Sequence, residues 1–127
     1  MIFCTAVNCM DGRTQRPVNE FLRERFAADY VDEITEPGPN GILASRADAA
    51  TVESILRRVG ISVHKHGSGG VAVVGHHDCA GHPVGKDQQI ADTLTAATFL
   101  ASNFPETEVI ALWVDENWQV HEIQAGG

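Results

Sequence analysis

Two stretches of this sequence hold residues able to bind a metal ion and to act on whatever binds beside it: Cys9-Met10-Asp11-Gly12-Arg13 and Gly75-His76-His77-Asp78-Cys79-Ala80-Gly81. A His-x-x-Cys spacing lets an imidazole nitrogen and a thiolate sulfur reach one ion across a single tight turn. Zinc accepts that mixed nitrogen and sulfur set, whereas magnesium and calcium prefer oxygen. Such a pair is common by chance when it stands alone. Cys9 adds a second thiolate and makes a Cys₂His set. Structural zinc sites usually close with four protein ligands, and three leave a position for water or substrate. Next to Cys9, the Arg13 guanidinium would keep the Asp11 carboxylate ionised and oriented, ready to accept a hydrogen bond from metal-bound water. Without Cys9 the Asp11–Arg13 pair would be a surface ion pair of little consequence.

The two stretches lie far apart in the chain, so secondary structure must bring them together. Residues 2–7 form a short apolar, β-prone run before the polar segment Asn8 to Gln15. Pro17 suits the first position of a helix that continues through Val18, Leu22 and Phe26. Tyr30 to Thr35 predicts a second strand. Ser45 with Asp48 marks a helix start, and Val52, Ile55, Leu56, Val59 and Val63 give that helix one apolar face. Val71 to Val74 is a continuous apolar run of the kind buried on both faces in a parallel sheet. Ile90, Leu94, Ala97, Ala101 and Phe104 mark another helix. Val109 to Val114, a turn at Asp115-Glu116-Asn117 and Trp118 to Ile123 read as a terminal hairpin. The Gly/Pro-rich stretches 36–41 and 67–70 read as loops.

This βαβαβαββ order predicts a three-layer α/β fold spanning residues 1–127 as one domain. Its sheet is mostly parallel, in the order 2-1-3-4 with an antiparallel edge strand, and has helices on both faces. Ligands of such sheets bind beyond the carboxyl ends of the strands. Cys9 follows the first strand, Glu36 to Asn40 the second and His76 to Cys79 the third, so all three segments are expected at one edge.

Composition narrows the function classes. At 43% hydrophobic and 20% charged residues, the 127-residue chain has an ordinary globular make-up. Its net charge of −8, from 17 acids against 9 Lys plus Arg with no basic cluster, disfavours nucleic acid and anionic membranes as partners. No apolar run approaches the roughly 18–20 residues that cross a bilayer. The start of the sequence lacks the pattern of a secretory signal, so a cytoplasmic location is expected. Three cysteines suit a reducing compartment better than a disulfide framework. Cys4 reads as a small buried hydrophobe. Among the remaining histidines, His77 and His82 read as solvated loop residues, His64 and His66 as solvent-facing, and His121 as an exposed strand position. Trp113 and Trp118 are expected in the core or a subunit contact, and Glu36 as a loop acid.

Cys-x-Asp-x-Arg after the first strand, followed by Gly-His-x-x-Cys after a later one, resembles the β-class carbonic anhydrases over roughly residues 3 to 123. The resemblance implies that Cys9, His76 and Cys79 bind Zn²⁺ and that Asp11 and Arg13 form a catalytic dyad. The implied reaction is the reversible hydration of carbon dioxide to bicarbonate by hydroxide, which zinc makes available by lowering the pKa of bound water to about 7. In some members the equivalent aspartate instead takes the fourth zinc position. The resemblance also implies a homodimer or higher homo-oligomer. Three departures stand out. Ala80-Gly81 replaces a Gly-Gly pair. Thr35-Glu36-Pro37-Gly38-Pro39-Asn40 replaces an Arg-x-Ala-Gly-Asn-like stretch. An N-terminal helical arm that wraps the partner subunit is not found in the sequence. Hydrolysis of a carbon disulfide-like electrophile, and a zinc-binding domain without turnover, remain as alternatives on the same fold. A cysteine phosphatase is excluded, because Cys-x₅-Arg would need arginine where Gln15 stands.

Overall fold

The direction of each strand-to-strand crossover determines which face of the sheet each helix covers. In the computed structural model, which describes residues 1–125, the elements run β1 (Phe3–Cys9), α1 (Gly12–Arg25), β2 (Tyr30–Glu36), α2 (Pro39–Ser45), α3 (Ala49–Lys65), β3 (Gly70–His76), α4 (Lys86–Asn103), β4 (Glu108–Val114) and β5 (Val120–Ile123). Residues 126 and 127 of the expected domain span lie outside the described residues. The strands form one sheet in the order β2-β1-β3-β4-β5. Pairing is parallel except between β4 and β5. The chain steps from β1 to β2 in one direction, then back past β1 to β3 and on to β4 in the other. Right-handed crossovers therefore place α1 on one face and α2, α3 and α4 on the opposite face.

Two apolar layers follow from this arrangement. Cys4 and Ala6 of β1, with Ala72 and Val74 of β3, pack under Val18 and Leu22 of α1. Val7, Val71 and Val73 point the other way, against Leu43, Ile55, Val59 and Leu100. Strand β3 is buried along its whole length, as its unbroken apolar run predicts. Burying each Leu or Ile contributes about 1.5–3 kcal/mol. Among the described residues, no helix is long and apolar enough to cross a membrane.

Two local expectations need correction. Helix α1 begins at Gly12, five residues before Pro17, because the Asp11 side chain accepts the Arg13 backbone N–H at 2.9 Å and caps the helix there. Pro17 sits inside the helix and leaves the Arg13 carbonyl without its helical donor. The stretch after Glu36 is likewise more than a loop. Gly38 turns the chain at φ 65°, and Pro39, with its φ already suited to a helix, opens α2. Ser45 ends that helix, and Asp48 caps α3 by accepting from Thr51 N at 3.2 Å.

Candidate metal centre

Strand order reverses between β1 and β3, and the carboxyl ends of the strands at such a reversal are where open α/β sheets bind ligands. Cys9 is the last residue of β1 and His76 the last of β3; Cys79 follows one turn later. All three are buried, and their ligand atoms lie within 4.8 Å of one another. The two sulfurs are 3.9 Å apart. Two thiolates at about 2.3 Å from one tetrahedral zinc would stand roughly 3.8 Å apart, so the spacing fits that ion.

The imidazole is also set for a metal. His76 Nδ1 lies 2.7 Å from the carbonyl oxygen of His77, and donating a proton there leaves the Nε2 lone pair free. Nε2 is buried and has no hydrogen-bond partner. A buried acceptor without a partner costs about 1–3 kcal/mol, and an ion would remove that cost. The backbone of Gly38 and Asp11 beside the Cys9 sulfur, and of Gly81 and His82 beside the Cys79 sulfur, favours the thiolate form of each. The sulfurs are close enough to share one proton. The hydrogen bond from Cys79 draws the Cys9 thiol well below its ordinary value, and the same contact pushes Cys79 up.

Asp11 and Arg13 meet at the lip of this cluster. The guanidinium donates to Asp11 through Nε at 3.0 Å and Nη2 at 2.7 Å, a bidentate grip. Arg13 thereby lowers the Asp11 carboxyl to about 2. Arg13 also reaches the 76–79 turn, donating to the Asp78 carbonyl at 3.1 Å and to its carboxylate at 3.2 Å. The cluster of donors within 4.8 Å consists of Cys9, His76 and Cys79, and Asp11 stays outside it. A cleft of about 570 Å³ opens beside the turn, lined by His77, Cys79, Lys86 and Trp113 among others.

Several neighbours escaped the sequence reading. Gln15 donates to the Cys9 carbonyl at 2.6 Å. His82 is not a solvated loop residue. Its Nε2 is 2.6 Å from Asp92, and a Cβ on Gly41 would come within 2.5 Å of its Nδ1. Gly38 is equally hemmed in, since a Cβ there would meet His82 Cβ at 2.8 Å. Segment 36–41 and segment 79–82 are thus interlocked. Asn40 donates to Gln89 at 2.8 Å and to Thr93 at 3.1 Å, while Gln89 donates to the His82 carbonyl at 2.7 Å. Only the three-residue step from Cys79 to His82 hinted at this arrangement. Glu36 pairs with Arg58 of α3. His77 is exposed as expected, as are His64, His66 and His121, although His66 pairs with Asp32 and His121 with Asp115. Trp113 is buried, and Trp118 stacks on Arg13 rather than serving only the core. Asn8 is buried with neither amide atom bonded, and nothing in the structure explains it.

A family model described as "Putative carbonic anhydrase" matches residues 1–124. Among solved structures, the chain is similar to β-carbonic anhydrase isoform I of the protozoan Trichomonas vaginalis, with 17% identity and a TM-score of 0.63, covering 98% of this chain and 83% of that one. It is also similar to a structure from a study of two tetrameric β-carbonic anhydrases of the filamentous ascomycete Sordaria macrospora. There the identity is 12%, the TM-score 0.65 and the coverage 98% and 81%. The β-carbonic anhydrase CafA of Aspergillus fumigatus matches at 12% identity and a TM-score of 0.54, covering 98% and 76%. At these identities the likeness is one of fold. No curated protein matches the chain.

Proposed function

The chain belongs to this carbonic anhydrase family and carries its β-class fold, and from that premise we propose that it binds zinc through Cys9, His76 and Cys79 and hydrates carbon dioxide. The observation that carries this reading is the buried cluster of two sulfurs and one unpartnered imidazole nitrogen at the strand-order reversal. Zinc bound there would supply Lewis-acid chemistry, bringing the pKa of water near neutrality.

The chain's own residues would do the rest. Cys9, His76 and Cys79 would hold the ion. Asp11, lowered to about 2 by Arg13, is a poor base at neutral pH and serves to orient. Oδ1 accepts the Arg13 backbone N–H and Nε, and Oδ2 accepts Nη2 at 2.7 Å and shares the Nε proton at 3.3 Å. That shared contact is the longest of the four, so Oδ2 is the oxygen better able to accept a hydrogen bond from the attacking water. A hydrogen bond there turns the water's lone pair toward carbon dioxide. The Glu36 carboxylate is engaged by Arg58.

Metal analysis of the purified protein, combined with a carbon dioxide hydration assay, tests the proposal. Stoichiometric zinc with hydration above the buffer rate is expected, and the absence of either refutes it. Parallel assays with carbon disulfide and carbonyl sulfide separate hydration from the alternative hydrolase reading. We also propose a homo-oligomer of two or more chains, supported by the tetrameric description of the Sordaria macrospora enzymes. Light scattering showing a monomer would refute it.

A further inference from the structure

The terminal hairpin adds one side chain to this site that neither sequence motif contains. Trp118 lies between β4 and β5, and the Arg13 guanidinium carbon sits 4.4 Å from the centroid of its ring. The same ring approaches His76 at 6.4 Å and His77 at 6.5 Å between centroids. Trp118 is half-buried and has a backbone φ of 61°, in the left-handed region that a bulky residue rarely occupies. Asp78, in the turn between His76 and Cys79, has a φ of 58°. Arg13 bridges these two strained positions, stacked on one and hydrogen-bonded to the other.

The hairpin is braced to hold this conformation. Trp118 N donates to the Asp115 carbonyl at 2.9 Å. The Asp115 carboxylate accepts the backbone N–H groups of Asn117 at 2.8 Å and Gln119 at 3.0 Å, and His121 lies 2.7 Å away. The His77 N–H donates to the Val114 carbonyl at 2.9 Å, tying the hairpin to the metal-site turn. Backbone strain persists only where its surroundings enforce it, and it gathers at functional sites. A residue that only filled a gap in the core would not need its ring set beneath a guanidinium.

We infer that Trp118 is a positioning residue: its indole face fixes the plane of Arg13 so that a single guanidinium grips both Asp11 and the backbone of the 76–79 turn. Without the ring, Arg13 has one open face and solvent competes for its donors. A cation–π contact at a half-buried site is worth about a three- to tenfold change in population. The consequence for turnover rests on the hydration reading proposed above; the placement of Arg13 does not.

The test uses the zinc-loaded protein and the variants Trp118→Leu and Trp118→Phe. In the unaltered protein the Arg13 Nε–H proton should resonate upfield, shielded by the indole ring, and show cross-relaxation to Trp118 ring protons. Trp118→Leu should abolish the upfield shift, speed solvent exchange of that proton about three- to tenfold, and lower kcat by a similar factor at unchanged zinc content. Trp118→Phe, which keeps an aromatic face, should recover most of each effect. If Trp118→Leu fails to fold, Trp118→Met takes its place with the same expectations. The inference is overturned by missing cross-relaxation in the unaltered protein, by an Arg13 signal that stays put in the Leu variant, by kcat unchanged when Arg13 moves, or by no recovery in Trp118→Phe. A zinc-loaded protein with no hydration activity at all would refute the functional proposal, and the Arg13 signals would still decide the role of Trp118.

Discussion

Adding one methyl group to Gly75 should destabilise the protein by about 3 kcal/mol. Gly75 immediately precedes His76 in β3 and lies on the side of the sheet covered by α2 and α4. An ideal Cβ there would stand 2.3 Å from Thr93 Oγ1, 2.9 Å from Asn40 Nδ2 and 3.0 Å from Gln89 Oε1. An ordinary contact would require Thr93 to retreat by about 1 Å, since protein interiors are close-packed. That retreat breaks the 3.1 Å bond from Asn40 to Thr93. Overpacking of this kind costs about 1–3 kcal/mol, and losing that one hydrogen bond while Asn40 still donates to Gln89 costs about 0.5–1.5 kcal/mol more. The sum centres near 3 kcal/mol, or roughly 10–15 °C in Tm for a chain of this length. Urea unfolding of Gly75→Ala, followed by circular dichroism, measures it. The double variant Gly75→Ala/Thr93→Ala provides a control, because removing the threonine hydroxyl makes room for the new methyl. Its loss should be smaller than the sum of the single losses by at least about 1 kcal/mol. A Gly75→Ala protein within about 0.5 kcal/mol of the original, or strictly additive losses, would refute the packing argument. The same crowding should also weaken zinc binding, since Gln89, 3.0 Å from the new Cβ, holds the carbonyl of His82 three residues after Cys79.

Cys79→Ser should cost about a third of the ~10–16 kcal/mol typical of a zinc centre, enough to leave the purified variant nearly zinc-free by elemental analysis; full occupancy would remove Cys79 from the ligand set. Asp11→Asn should retain zinc yet lower kcat roughly 10- to 100-fold, and an unchanged rate in a stopped-flow hydration assay would exclude the carboxylate from the mechanism. Arg13→Gln should let the Asp11 carboxyl rise from about 2 toward its ordinary value of 3.8, as read from its carboxyl carbon resonance during an acid titration. Because the folded-state value is depressed, the stability this carboxylate contributes is present above about 3.8 and is lost as pH falls toward 2. That part of the acid-unfolding slope should therefore disappear in Arg13→Gln, and an unaltered slope would contradict the assigned partner.

The sequence alone was enough to specify the sheet and the three side chains that cluster at its edge. The short β-prone runs at residues 2–7 and 71–74 read as strands, and helical apolar spacing between them requires crossovers. The handedness of crossovers then leaves few strand orders, which is why 2-1-3-4 and the meeting of Cys9 with His76 and Cys79 could be expected before any coordinates. Helix boundaries were less legible where a side chain competes with intrinsic preference. The Asp11 cap starts α1 ahead of Pro17, and Gly38 with Pro39 starts a helix inside an apparent loop. What surrounds this cluster was decided by tertiary structure. His82 leaves solvent for Asp92, Asn40 joins Gln89 and Thr93, and Trp118 crosses from the last hairpin to cover Arg13. None of these contacts has a local signature, because each joins elements distant in the chain whose separation is set only when the layers pack. A strand pattern expresses a periodicity that every residue in the run shares, whereas a stacked guanidinium depends on two particular side chains meeting at one distance, and only the folded chain fixes that.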